Sequence, residues 1–522
     1  RDTLAGQQRL QIERSAACVH LATAQGVDLR GYNTIENARD VRALRQALGF
    51  ASWNVWGISY GSALGQAVAR IDADGVRAMV IDAIVPIDIG DLMRLPSWYQ
   101  RDLDKLAEAC AEQSACKSAY PELLTRYQAA IQSTLDQPFT LEVKAGEVHP
   151  DGKAYVFADT VAGLPFSLLY EQSTHAALPA IMDGLSRAVE SRDHTVFKAI
   201  ALADTLGPAG NDDFGAGMAM AIRCQDGYVD HMLKSAPGEL ASHPLLTEVF
   251  IGDAATVASY DGACAGAGMP GRDSALYAPL ISDLPIVVAN GAWDPITPTP
   301  LAEYIMPGLS KGRLVQFPHA GHGPTRSLPC GGVFLNRFFD DPAAPLDMEC
   351  VADGEKAAQY ISPYFATSAA ARGMVLLVEE RKQAMAHGIW GAASLLLSLI
   401  GLLTLVIGWM TRKLDRRKAL PGSPARWLAG LSALFAVACG AGLGAAAAIS
   451  GKVTPALLLF GVVGWAHWFA WAGVAAGVFG LLGVVVTLAS GLPRGSRIGL
   501  VLVSLAAVSV SVFGWYWDLW PF

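Results

Sequence analysis

Three residues of this sequence have the types and surroundings that acyl-transfer chemistry requires. Trp53-Asn-Val-Trp-Gly-Ile-Ser-Tyr-Gly61 reads as a short buried strand, residues 53–56, running into G-x-S-x-G with Ser59 at its centre; Ser62 to Ile71 continues as a helix lined with small residues. A serine on a tight strand-to-helix turn carries its hydroxyl clear of the chain, and glycines two residues to either side let strand and helix approach without a Cβ clash. A glycine-rich turn that merely packs a helix is the plainer alternative. Serine alone is a poor nucleophile, so a base and an acid must accompany it. After Leu284 a strand, 285–290, runs into a turn holding Asp294. A helix near 299–306 follows, then the strand Arg313-Leu-Val-Gln-Phe-Pro, which ends at His319-Ala-Gly-His322-Gly. His322, between two glycines, is the expected base in preference to His319, which follows Pro318 and packs at the strand end. Ser59 would attack a carbonyl, His322 would move its proton to the leaving group, and Asp294 would hold the imidazole tautomer. The backbone N–H of Tyr60 is the expected oxyanion donor.

Each candidate follows a strand, as expected where the C-terminal edge of a parallel sheet gathers its site. Residues 1–26 read as helix, and 34–48 as a second helix capped by Asn33 or Thr34. Between Pro86 and Asp283 the patterns Tyr99–Glu112, Tyr120–Ser133 and His175–Ser191 are helical. No Cys/His cluster has metal-ligand spacing and no G-x-G-x-x-G follows a strand, so neither metal nor cofactor is expected.

Charge is divided unevenly. From His387 onward there are nine basic and two acidic residues; the first 386 residues hold 30 basic and 45 acidic, a net charge of −15. That division excludes a wholly soluble enzyme, a disordered chain and a polybasic nucleic-acid binder. Gly388–Met410 and Trp427–Ile449 are uncharged runs of 23 residues each, about 35 Å as helix against a hydrocarbon core of about 30 Å. Pro455 to Leu492 is predicted to hold an interfacial piece through Trp465–Trp471 and a span from about Ala472 to Ser490; Ile498–Trp517 is the fourth span. Arg412, Lys413, Arg416, Arg417, Lys418 and Arg426 lie between spans one and two, and Arg494 and Arg497 between three and four. By the positive-inside rule these loops are cytoplasmic and residues 1–386 lie outside. His467, among tryptophans, reads as an interfacial residue rather than part of a transport path. The expected partner of this region is the lipid bilayer.

Seven of the eight cysteines precede the spans. Spacing suggests Cys110 with Cys116 and Cys330 with Cys350, and Cys224 with Cys264 would bridge the middle region, as an exported domain would allow, though sequence alone does not fix the pairing; Cys439 reads as a buried apolar residue. Cys18 is left over. With no signal segment before Arg1, the expectation is that an N-terminal piece precedes this chain and carries the partner of Cys18.

Together Tyr32-Asn-Thr34, Ala38-Arg-Asp40 through Gly49, Trp53–Gly61, Met79-Val-Ile-Asp82-Ala-Ile-Val-Pro86, Ala221-Ile-Arg-Cys224-Gln-Asp226, Gly291-Ala-Trp-Asp294-Pro-Ile-Thr-Pro and Gly321-His322-Gly…Cys330…Cys350 resemble the secreted tripeptidyl aminopeptidases, relatives of the proline iminopeptidases. The resemblance covers roughly residues 15–352 and implies an α/β-hydrolase fold with Ser59, Asp294 and His322 as its triad. Release of amino acids or short peptides from free peptide N-termini is the implied activity. The departures are the four spans and the absent early strands with their oxyanion glycines, nothing before Ser59 resembling His-Gly-Gly. The expected organisation is hydrolase core over 1–86 with its first strands missing, mainly helical cap over 87–283, hydrolase core over 284–352, linker over 353–386 and transmembrane helices over 387–522. A peptide N-terminus needs a carboxylate for its ammonium; Asp226 is a candidate, a surface or structural aspartate being the plainer reading of it, with Glu112, Asp159 and Asp230 as alternatives. An esterase with the same triad, or a ligand-binding membrane protein without turnover, are the competing functions.

Overall fold

The computed structural model describes residues 3–89, 94–146, 148–203, 215–265, 269, 273–346, 348–353, 356–415 and 422–521. Arg416, Arg417 and Lys418, expected in a cytoplasmic loop, lie outside the described residues.

Eight strands occur among those residues: β1 (Trp53–Ile58), β2 (Val76–Asp82), β3 (Phe139–Glu142), β4 (Lys153–Val156), β5 (Ile286–Gly291), β6 (Gly312–Phe317), β7 (Tyr364–Ala366) and β8 (Gly461–Val463). The core is a parallel sheet in the order β1-β2-β5-β6. Its strands are continuous apolar runs because both faces are covered. Met79 and Ile81 of β2, with Ile286 and Val288 of β5, face helices Thr34–Ala47, Tyr60–Ile71 and Thr299–Ile305. Ala78, Val80, Val287 and Ala289, one residue out of step, face Phe334 and Phe338 of helix Gly331–Asp340. Because all four strands run parallel, the ends of β1, β5 and β6, and the turns that follow them, lie on one edge.

Between β2 and β5 lies the cap, helical apart from the antiparallel hairpin β3–β4. Its core gathers Tyr99, Tyr127, Leu178, Ile181, Leu185 and Phe197, all essentially buried. Helix Leu4–Ala24 packs against cap helices Ala216–Gln225 and Ala254–Ala265 rather than against the sheet. Disulfides join Cys110 to Cys116, Cys224 to Cys264 and Cys330 to Cys350. Cys18 is a free thiol beside Gly217, and Cys439 is buried and unpaired.

Among the described residues four helices are long and apolar enough to cross a membrane: Arg381–Leu414, Ser423–Val453, Ala466–Ala489 and Arg494–Tyr516. They meet through small and hydroxylated residues, including Ser394, Ser398, Ser432, Gly477 and Ser504, as helix packing in lipid favours. Trp390 Nε1 donates to Ser509 Oγ at 2.8 Å across helices one and four.

Two boundaries differ from expectation. Trp465–Trp471 is not a separate interfacial piece: the third helix already begins at Ala466, because the apolar run continues unbroken, and the connection before it holds the 3-10 turn Pro455–Leu459 and β8. Trp471 Nε1 donates to His467 Nε2 at 3.0 Å in its first turns. Residues 353–386 are not a bare linker. They carry β7, which pairs antiparallel with β8 between helices two and three, and helix Ala369–Glu379, which packs on the cap. The same inter-helix loop sends Leu457 and Phe460 into the cap core, and Thr367 Oγ1 donates to the Asp518 carbonyl at 2.6 Å after helix four. The cap, not the sheet, is therefore the part joined to the four helices.

Phe460→Ala should cost about 3–5 kcal/mol of cap stability, the range for emptying a buried phenylalanine site. A lowered thermal midpoint and faster proteolysis around residues 455–463 would show it; an unchanged midpoint would contradict the docking.

Candidate active site

Ser59 directly follows β1, with φ 57° and ψ −124°, a left-handed backbone uncommon for a residue with a Cβ. Three contacts hold it. Its N–H donates to the Asp82 carbonyl at 3.0 Å, and its own carbonyl accepts from Ser62 N at 2.8 Å and Ser62 Oγ at 2.6 Å. A Cβ on Gly57 would collide with the Gly61 carbonyl, so only glycine fits at the strand side of the turn; Gly61 itself has open space around it. Tyr60 opens the helix that follows, and its hydroxyl meets Thr34 Oγ1 at 2.7 Å and accepts from Asn37 Nδ2 at 3.1 Å. Burial is the main cause that raises the Tyr60 phenol above its ordinary value.

Asp294, fully buried, lies in the turn after β5. Its Oδ1 accepts from Ile296 N at 3.0 Å and Thr297 N at 2.9 Å, and its Oδ2 from Thr297 Oγ1 at 2.7 Å. Oδ2 also meets His322 Nδ1 at 2.9 Å. An ionised carboxylate only accepts, so Nδ1 carries the proton and Nε2 is left with a lone pair. Of the two candidate histidines, His322 is the one whose ring reaches this acid, while His319 stands nearer the end of β6.

The cap closes on this pair. His322 N donates to the Tyr170 carbonyl at 2.9 Å, and the Tyr170 ring lies 4.7 Å from the imidazole at 50°. Gly321 is required at this seat, because a Cβ there would meet the carbonyls of Leu169 and Tyr170. Phe166, 5.6 Å from Tyr170, and Phe250, 5.3 Å from Phe166, extend an aromatic row from the imidazole into the cap. Burial pushes the Tyr170 phenol well up. From helix Leu95–Glu112, Arg101 Nη2 donates to the Asp294 carbonyl at 2.7 Å and Lys105 Nζ to the Ala292 carbonyl at 2.6 Å. Arg101 also pairs with Asp102, whose Oδ2 has no hydrogen-bond partner among the described residues.

Asp226, expected to receive a substrate ammonium, accepts from Thr34 N at 3.1 Å and Thr34 Oγ1 at 2.5 Å, and from the Tyr277 hydroxyl. Both its oxygens are engaged within the chain, clamping helix Thr34–Ala47 to the cap, two hydrogen bonds away from Tyr60. Glu112, Asp159 and Asp230 are exposed. No group of three or more His, Cys, Asp or Glu residues able to hold a metal occurs among the described residues. Thr297, Tyr170, Arg101 and Asp82 were not singled out from sequence as site residues. Thr297 carried a local signal, a hydroxyl three residues beyond an aspartate in a turn; Tyr170 and Arg101 carried none.

Comparison with known proteins agrees with this architecture. Residues 14–128 match the family described as the alpha/beta hydrolase fold, and residues 249–350 match that of TAP-like proteins. The serine protease Hip1 of Mycobacterium tuberculosis is 27% identical over 175 residues, 33% of this chain and 32% of that protein. The tripeptidyl aminopeptidase of Streptomyces lividans is 34% identical over 99 residues, 19% and 17% of the respective chains. The putative hydrolase YuaR of Escherichia coli is 29% identical over 117 residues, 21% and 23%. These matches span less than a third of each curated relative. The chain has the α/β-hydrolase fold, joined to four long apolar helices.

Burial raises Asp102 from its ordinary 3.8 to about 7, against the lowering influence of Arg101 and Lys105. The folded state thus binds this proton more tightly than the unfolded chain, and the stability it brings is full below about 3.8 and lost as pH rises through about 7. Asp102→Asn should flatten thermal midpoint against pH across that window; an unchanged slope would show that Asp102 stays ionised throughout it.

Proposed function

We propose that this chain is a membrane-anchored serine exopeptidase that releases amino acids or short peptides from the free N-termini of peptides. The observation that carries the reading is the Asp294 Oδ2–His322 Nδ1 contact of 2.9 Å, on the sheet edge where Ser59 is held at φ 57°. The names of the relatives, serine protease and tripeptidyl aminopeptidase, support it.

His322 Nε2 takes the proton of Ser59 as its Oγ attacks the scissile carbonyl carbon. The tetrahedral oxyanion is met by the N–H of Tyr60 at the start of its helix. Asp294 stabilises the imidazolium, which then gives its proton to the leaving amine as the C–N bond breaks. Water, deprotonated by His322, attacks the acyl-enzyme; the acid product leaves and Ser59 regains its proton. Thr297 and the Arg101 contact to the Asp294 carbonyl hold the acid's turn, and Tyr170 holds the histidine's from above.

The four helices are the anchor in the cytoplasmic membrane, and the hydrolase part lies on its outer, periplasmic side. The basic residues Arg412, Lys413 and Arg426, and Arg494 and Arg497, sit at the ends of the helices away from β7–β8 and the cap, which supports that orientation. The disulfides support an oxidising compartment.

Free and N-acetylated peptide amides should separate the exopeptidase from an esterase. Free N-termini are expected to be cleaved at least about tenfold faster, the worth of one hydrogen bond to a charged ammonium, and cleavage of blocked peptides or simple esters at equal rates would overturn the assignment. Ser59→Ala should lower kcat by about a thousandfold or more. In a Cys18→Ser background, Ser423→Cys should resist an impermeant maleimide added from outside; ready labelling there would overturn the orientation.

A further inference from the structure

Asp82 is a buried carboxylate that the steps above do not use. It closes β2 in register with Ile58 of β1, one residue before the serine, and with Ala289 of β5. Its carbonyl receives the Ser59 N–H at 3.0 Å. Its Oδ2 receives Thr325 N at 2.8 Å and Thr325 Oγ1 at 2.6 Å. Thr325 stands three residues beyond His322, in the short turn Pro324–Ser327. Trp56 Nε1 donates to Thr325 Oγ1 at 3.1 Å, so a chain of hydrogen bonds runs from β1 through the histidine's turn to β2. Gly323, at φ 70°, lies against Ile58. One aspartate thus holds the nucleophile by its main chain and the base's turn by its side chain.

Asp82 Oδ1 is buried and has no hydrogen-bond partner among the described residues. An asparagine would keep the bonds to Thr325 without burying a charge, so the carboxylate is a costly choice for a merely structural tie. The titratable groups that act on it are His322, from the turn after β6, and Asp294, from the turn after β5; its strand neighbours Ile58 and Ala289 carry no charge.

We propose that Asp82 is a positioning residue of the catalytic site, tying the His322 turn to the nucleophile strand and, through its charge, setting the pH at which His322 becomes available as a base. The proposal rests on the serine hydrolase reading above. Two carboxylates act on one imidazole: Asp294 by direct contact, Asp82 through space. Ionised Asp82 favours the imidazolium; neutral Asp82 does not. Burial raises Asp82 to about 7, with the bonds from Thr325 and the His322 charge opposing, so both species of Asp82 are present near neutrality.

The test is the rate at which a fluorophosphonate labels Ser59 in the full-length protein, followed against pH. The wild type should give an acid limb broader than a one-proton curve. Asp82→Asn should still label at high pH, with a one-proton limb moved to lower pH by about one unit, the scale of a nearby charge removed. Thr325→Val keeps the main-chain bond but removes one that favours ionised Asp82, and should move the limb the same way by less. An Asp82→Asn limb that coincides with the wild type overturns the proposal; if that variant does not fold, a wild-type limb in Thr325→Val does so. A wild type unlabelled at Ser59 at every pH would instead overturn the serine hydrolase reading itself.

Discussion

A serine at φ 57° stays there only if its surroundings leave no alternative. Here the constraint is distributed. The Gly57–Gly61 approach excludes a side chain on the strand side, and helix Tyr60–Ile71 begins immediately after Ser59. The Asp82 carbonyl takes the one Ser59 N–H. That last bond is possible because β1 and β2 are parallel neighbours in register, Ile58 with Asp82. The sheet is thus the device that places the serine, and the turns after β5 and β6 bring acid and imidazole to the same edge.

What could be read from residues alone was whatever is local. G-x-S-x-G between strand and helix, an aspartate and a glycine-flanked histidine each just beyond a strand, and cysteines at short spacing announce themselves within a few residues. The fold class was implied by the family resemblance that these segments carry. The contacts that join these pieces were not legible in that way. Thr325 finds Asp82 across 243 positions, and Arg101 reaches the Asp294 carbonyl across 193; neither has a periodicity or spacing to reveal it. Tyr170 is one of 14 tyrosines until the cap folds it onto His322. Residues 353–386 read as a linker because a three-residue strand whose partner lies nearly a hundred residues away leaves no pattern.

The junction with the apolar helices changes how the cap is understood. A lid over a hydrolase is commonly pictured as the mobile part. Here Leu457 and Phe460 from the loop between helices two and three are buried in the cap core, and β7 pairs with β8 beside them. On the proposed reading the cap is held at the membrane surface, and the sheet with Ser59 hangs from it through Tyr170, Arg101 and Lys105. Any opening that admits a peptide then moves the sheet relative to a cap the membrane holds, and must loosen the Tyr170 seat on His322.

The central claim is that Ser59 is an activated nucleophile served by His322 and Asp294. It is tested most directly by treating the membrane-embedded, full-length protein with an active-site phosphonate and locating the adduct by mass spectrometry of its peptides. A single adduct on Ser59 is predicted, not formed when the protein is denatured before treatment and abolished in His322→Ala. Modification spread over several serines, or an adduct on Ser59 undiminished by the loss of His322, would contradict it.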